Sequence, residues 1–341
     1  MIGKKNATIV DVAKEAGVSV ATVSRVVNGN YPVKPETKVA VSAAIEKLHY
    51  VPNVQARELN QRRSTTIGVV VPSLYNMFFA EVIDGIEAAV RKDKYSLLLN
   101  CAQNDPEQEQ ACIRALVARN VAGLIVISPN TRNMQEDFYR RLAERTPLVF
   151  INGYHEVEGA SYVSNDEAGG MRTALTSLKK LGHEKILLVR GSHSDSYEVK
   201  ERVYRNFMAE QGCLDEKMIL DIGEGNSVDT VDNTADYLLV RIPEVKPTAI
   251  CCCNDLMAVG ALNACNLLDL DVPKDVSVMG FDNVSLSRYV VPKLTTMDQN
   301  MFQLGENAAS LVVEKIRYGR SKKIVLGNVL IERESVAEAG K

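Results

Sequence analysis

Arg25 stands in the string AGVSVATVSRVVN, one helical turn beyond Val20 and Ala21. A guanidinium on an outward helix face can make two parallel hydrogen bonds to guanine O6 and N7, and short apolar neighbours can touch thymine methyls. Thr8, Thr22, Ser24 and Asn28, with Ser19 and the backbone N–H groups at the helix starts, are suited to phosphate oxygens. A second polar set follows short apolar runs: Asn76, Phe78 and Phe79 after IGVVVP, Asn152 ending PLVFIN, and Lys200 and Arg202 beyond KILLVR. Asn254 and Asp255 follow TAICCC, and Asp282 ends VSVMGFD. Amides and charges around an aromatic wall can hold a polyhydroxylated or heterocyclic ring. Each has a plainer reading: Phe78 and Phe79 as core, Asp255 as a helix cap, Asp282 as a turn cap.

The first set needs two helices sharing one tight turn. Ile9, Val12, Ala13 and Ala16 fall on one face of a helix that Thr8 can cap and Gly17 can stop. Ser19 is placed to cap a second helix with Val23, Val26 and Val27 inward, and a third runs from Pro35 to about Leu48. This is a helix-turn-helix, whose second helix enters the major groove. The second set needs strands with helices between them, and the body from Thr66 supplies that alternation twice. The expected fold class is α/β: a small all-α head, then a two-lobed body with parallel sheets and a cleft at the carboxyl ends of the strands.

The head is expected over residues 1–51, a hinge over 52–63 and the body over 64–341. One lobe is read as 64–161 plus 294–324, with LTTMDQN and the helix after it, and the other as 162–293 plus 325–341. Within NVQARELN, Asn53 can cap a short helix carrying Ala56 and Leu59. A helix this short is marginal in water and should form only when paired on DNA.

The chain has 341 residues with a net charge of -3, yet residues 1–63 hold ten Lys and Arg against five Asp and Glu. A basic head on an acidic body fits phosphate binding with little non-specific adhesion. Apolar runs stop far short of a membrane span, and the N-terminus has no signal-peptide core. Seven cysteines, without a C-x-x-C pair, fit a reducing cytoplasm, and Cys251, Cys252 and Cys253 read as buried thiols. Nucleotide-binding, zinc-protease and serine-hydrolase signatures are missing, and His49, His155, His183 and His193 have no evident nucleophile or metal partner. No catalytic residue, metal or cofactor is expected.

TIVDVAKEAGVSVATVSRVVNG, VKPETKVAVSAAIEKLHYVPN and ARELN closely resemble the head of the lactose/galactose repressor family of bacterial transcription factors, and the resemblance extends through the body. It implies a periplasmic-binding-protein-like body and a homodimer reading a pseudo-palindromic operator in double-stranded DNA. The short stretch after the last strand implies a dimer rather than a tetramer. It further implies base reading by Val20, Ala21 and Arg25, a minor-groove wedge at Leu59, and effector contacts at Asn152, Asn254 and Asp282. The effector is expected to be a sugar or sugar derivative. Where the family carries an Arg this chain has Lys200, with Arg202 two residues on, so a point donor replaces a planar fork unless Arg202 substitutes. Cys251 at the pocket floor is a second departure. VKPET, ARELN and FDNVSLSRYVVPKLTT also resemble the family's carbon-catabolite control branch, which binds a phosphorylated carrier protein; the absence of Lys and Arg in ENAASLVV opposes that alternative.

Overall fold

The computed structural model describes residues 7–29, 31–51 and 64–340 and separates into two compact units, residues 1–64 and 65–341. The expectations for the hinge, including Asn53, Ala56 and Leu59, lie outside the described residues.

The first unit holds α1 (Ile9–Glu15), α2 (Val20–Asn28) and α3 (Pro35–Lys47). Thr8 and Asp11 form a reciprocal cap at the start of α1, each side chain bonded to the other's backbone N–H. Gly17, at φ 65°, takes the left-handed turn after α1 that a Cβ would strain. Ser19 Oγ accepts the Thr22 N–H at 3.1 Å and starts α2. Val12, Ala13, Val23, Val41 and Ala44 are buried together, with Ile9, Val26, Val27, Ile45 and Leu48 closing the rim. That is a small core: a buried aliphatic side chain contributes roughly 1.5–3 kcal/mol, so only a few such groups offset the entropic cost of ordering three helices.

The second unit begins with β1 (Thr66–Val71), α4 (Met77–Lys92), β2 (Ser96–Cys101), α5 (Pro106–Ala118), β3 (Gly123–Ile127), α6 (Thr131–Gln135), α7 (Asp137–Ala143), β4 (Leu148–Ile151) and β5 (Ser161–Asn165). It continues with α8 (Glu167–Lys180), β6 (Ile186–Arg190), α9 (Asp195–Glu210), β7 (Ile219–Asp221), α10 (Thr230–Val245), β8 (Ala249–Cys252), α11 (Asp255–Leu267) and β9 (Ser277–Asp282). Last come β10 (Thr295–Asp298), α12 (Met301–Tyr318), β11 (Lys323–Leu326) and β12 (Val329–Ile331). One sheet has the order β11-β5-β4-β3-β1-β2, the other β12-β10-β9-β8-β6-β7. Every pairing is parallel except β10 with β12. The central strands β3, β4, β8 and β9 are buried along their whole length because helices cover both faces, and all but β9, with Ser277 and Asp282 at its ends, are apolar throughout.

The lobe boundaries differ from expectation at β5, β10 and the end of β11: residues 162–165 and 325–326, expected in the second lobe, pair within the first sheet. Thr295–Asp298 pairs with β9 in the second sheet, Thr295 opposite Met279, rather than joining the first lobe. Its buried threonines fit the second sheet, where the Thr296 hydroxyl donates to Asp255 at 2.6 Å and Thr295 N–H to Ser335. The chain changes lobe at β5 to α8, β10 to α12 and β11 to β12, so β11 closes the first sheet although it follows most of the second.

In the first lobe α4 and α12 cross with their backbones in contact. A Cβ at Gly305 would fall inside the Val82 carbonyl oxygen, and one at Gly85 inside that of Phe302. No rotamer change relieves a clash with backbone. Gly305→Val is expected to destabilise the body by about 3 kcal/mol, because the helices must separate around the added volume. Urea unfolding followed by far-UV circular dichroism checks this; an unchanged midpoint would mean the helices yield freely.

Candidate functional site

On the head, Val20, Ala21 and Arg25 are exposed along one side of α2 while Val23 points into the core. The Arg25 guanidinium lies 5.6 Å from the centre of the Tyr31 ring, within cation–π range. The small polar groups are bonded locally: Ser19 Oγ to Thr22 Oγ1 at 2.9 Å, Asn28 Nδ2 to Ser24 Oγ at 3.1 Å, and Thr8 Oγ1 to Asp11 at 2.7 Å. These bonds fix side chains at the starts of α1 and α2 and along the outer face of α2 and leave acceptor and donor capacity for a further partner.

In the body a cleft opens between the carboxyl ends of the two sheets. Asn76, Phe78, Phe79, Asn152, Lys200, Asn254 and Asp282 all line it. Phe78 and Phe79 are buried and meet edge to face at 5.4 Å, so they form core and wall at once. Arg202 is exposed and does not line the cleft. Residues two apart on a helix point to nearly opposite sides, so with Lys200 turned inward Arg202 must turn out. Asp255 is the first residue of α11 and ties the Val284 N–H and the Thr296 hydroxyl within the second lobe.

Each asparagine has a structural task as well. Asn76 Oδ1 caps α4 through Phe78 N–H, and its Nδ2 reaches Asn226 Oδ1 in the other lobe at 2.9 Å. Asn254 Oδ1 caps α11, and its Nδ2 donates to the Gly225 carbonyl at 2.8 Å. Asn152, at φ 51°, accepts the Asn165 N–H at 3.0 Å. With the Ser73 hydroxyl on the Asn226 carbonyl at 2.7 Å and Asn104 Nδ2 on Glu224 at 3.1 Å, the loop 223–227 bridges the lobes at the cleft.

Lys200 is the buried cation of the site, 2% exposed. Its Nζ donates to the Cys253 carbonyl at 3.0 Å, stands 3.8 Å from Glu167 Oε1 and lies 4.1 Å from the centre of the Phe281 ring. Glu167, 3% exposed, also accepts from the Tyr154 hydroxyl and, at 2.8 Å, from Ser196. Sequence reading missed Glu167, Tyr154, Ser196, Tyr197, Asn226 and Gln299 in this cleft. Ser196 and Tyr197 lie in the first turn of α9, the helix expected after KILLVR, and the rule that picked Lys200 could have found them. Glu167 follows a strand, SYVSN, whose polar residues hide it, and Gln299 follows the strand placed in the wrong lobe.

Burial pushes the Asp282 carboxyl up to about 7, against the opposing pull of the Lys200 ammonium and hydrogen bonds from Gln299 and Asn76. Burial raises Asp255 as well, reinforced by Asp282. A carboxyl raised in the folded state favours folding when protonated; that contribution is present near pH 4 and lost as pH rises through about 7. The three consecutive thiols are buried and free, and burial raises all of them, Cys253 to about 12. His183, buried, bonds through Nε2 to the Ala337 carbonyl at 2.9 Å and holds the C-terminal segment.

A helix-turn-helix unit and a two-sheet body with an interlobe cleft, in one chain, define a DNA-binding regulator with an effector-binding domain. Residues 8–53 match the family described as bacterial regulatory proteins, lacI family, and residues 175–336 match a periplasmic binding protein-like domain. The chain is 34% identical to the HTH-type transcriptional repressor PurR of Vibrio atlanticus, over 97% of this chain and 98% of that one. It is also 34% identical to catabolite control protein A of Priestia megaterium, over 91% and 92% respectively. Among solved structures, the lac repressor dimer bound to operator and the anti-inducer ONPF superposes with a TM-score of 0.83 at 26% identity, covering 98% of this chain and 100% of that one. The chain belongs to the lacI family of bacterial regulatory proteins. It is a transcriptional repressor with an effector-binding domain, not an enzyme. Among the described residues no helix is long and apolar enough to cross a membrane.

Proposed function

We infer that a homodimer of this chain binds a pseudo-palindromic operator through α2, with Arg25 reading bases, and that a small polar metabolite in the interlobe cleft sets the affinity. The observation that carries this reading is the convergence of seven of the eight expected effector residues on one cleft whose two walls belong to different lobes. A ligand there touches both lobes and so can bias their relative angle, and couplings of about 1–3 kcal/mol between two such sites are usual. Two identical heads match a two-fold site, and the lac repressor relative was solved as a dimer on its operator. The hinge residues Asn53, Ala56 and Leu59 belong to the same proposal, Leu59 as the wedge.

Control by a phosphorylated carrier protein is the less favoured reading. From Glu306 to Val313 α12 has no cation, and further along Arg317 is already paired with Asp93 at 2.6 Å. Docking a phosphoserine needs free guanidinium groups.

The test is anisotropy titration of labelled promoter fragments against random duplex, with and without a panel of sugars and nucleosides. Tight, salt-sensitive preference for one fragment, changed by one metabolite, supports the reading; equal binding to every duplex removes it. Asp282→Ala is expected to abolish the metabolite response while operator binding survives. A retained response would take Asp282 out of the effector contacts.

A further inference from the structure

We propose that the effector of this cleft is a hydroxylated ring carrying a protonated amine, and that phosphate esters are excluded from it. This rests on the reading of the cleft as the effector site. Six carboxylates line the cleft, Asp105, Glu109, Glu167, Asp195, Glu224 and Asp282, against one ammonium, Lys200, and one imidazole, His193. Glu109 is occupied by internal donors, from Tyr139, Asn133 and the Asn130 N–H, and Glu167 by Tyr154, Ser196 and the Lys200 ammonium.

The ammonium is already engaged. An –NH₃⁺ group has three protons, and the Cys253 carbonyl, the Glu167 carboxylate and the Phe281 face surround Lys200 Nζ. Among the described residues, a phosphate entering the cleft therefore meets no unoccupied cation and several carboxylates, and a desolvated like-charge contact is strongly unfavourable.

A second observation points to a donor-rich ligand. Gln299 is 2% exposed and lines the cleft; its Nε2 donates to Asp282 Oδ1 at 2.5 Å, and its Oε1 is buried without a hydrogen-bond partner. A buried acceptor left unpaired costs free energy, so the site is completed by a group that brings a proton there. A carboxylate and an amide oxygen on neighbouring side chains suit a group with several protons and a positive charge, which is a protonated amine. Such a cation also favours the ionised form of Asp282. Because burial holds that carboxyl near 7 in the empty site, binding of the cation drives off a proton. A sugar hydroxyl donating to the carboxylate does so more weakly, because it brings no charge.

The experiment is isothermal titration of the full chain at pH 7 in two buffers of different ionisation enthalpy. The probes are matched sets built on glucose, galactose and mannose, each as the free sugar, the 2-amino-2-deoxy sugar and the 6-phosphate. In at least one set the amino sugar is expected to bind about ten-fold or more tightly than its parent, with proton release seen as a buffer-dependent heat. The 6-phosphates give no binding, and Asp282→Asn removes both the amine preference and the proton release. A free sugar binding as tightly as its amino counterpart, or a phosphate ester binding at all, overturns the charge assignment while leaving the cleft as the effector site. Failure of every probe overturns this proposal together with the sugar-like effector on which it rests.

Discussion

Arg25→Ala is expected to weaken operator binding by about 1–3 kcal/mol for each half-site and to relax selection at one base pair. The side chain has a fork of donors and an exposed position on α2 beside the Tyr31 ring, so on the base-reading proposal its loss removes a bidentate contact rather than a diffuse charge. In a symmetric dimer the loss is taken twice, which makes this the largest single effect expected on the DNA side. Competition titrations on operators changed at each position provide the measurement. Loss confined to the operator, with binding to random duplex almost unaltered, is the base-reading outcome. Equal loss on both would assign Arg25 to phosphate contact. Loss of a phosphate contact at Arg25 would then also reduce the salt slope by about one.

Lys200→Ala is expected to destabilise the body by about 3–5 kcal/mol, since removing one member of a buried ion pair leaves the other charged and poorly solvated. Glu167 keeps donors from Tyr154 and Ser196, which offsets part of that loss. The Cys253 carbonyl loses its side-chain donor. Adding Glu167→Gln to Lys200→Ala should recover a substantial share, because the stranded charge is then gone; urea midpoints of the four proteins form the cycle. If the double variant is as unstable as the sum of the two single ones, the pair does not interact and the 3.8 Å separation carries no energy.

Much of this architecture could be read from residue types alone. Thr8, Gly17 and Ser19 mark the helix ends of the head through chemistry local to a few residues, and local chemistry is visible in sequence. The alternation of apolar strand and helix was equally plain for KILLVR and TAICCC. The strand SYVSN was not, because its side chains are small or polar and its place between β4 and β11 is fixed by distant partners. Thr295–Asp298 failed for the same reason: TTMD carries no mark of which sheet it will join, and only the Thr296 bond to Asp255 reveals it. In the cleft, residues at strand ends were recoverable by rule. Arg202 was not separable from Lys200 until the helix phase was known. Glu167 and Tyr154, thirteen residues apart, meet through an arrangement of loops that no short-range pattern encodes.

The lobes are interleaved along the chain, and this affects how the protein can be made. α4 emerges from the ribosome early, but the helix that covers it, α12, is residues 301–318. Translation runs at about 5–20 residues per second, so the nascent N-terminal sheet waits roughly 10–40 s with an apolar flank open to the cytosol. Most of the second lobe is synthesised in that interval and can fold first. Trigger-factor-like holdases, or slow codons ahead of position 301, would bear directly on yield, and truncation anywhere before residue 326 leaves the first sheet without its outer strand.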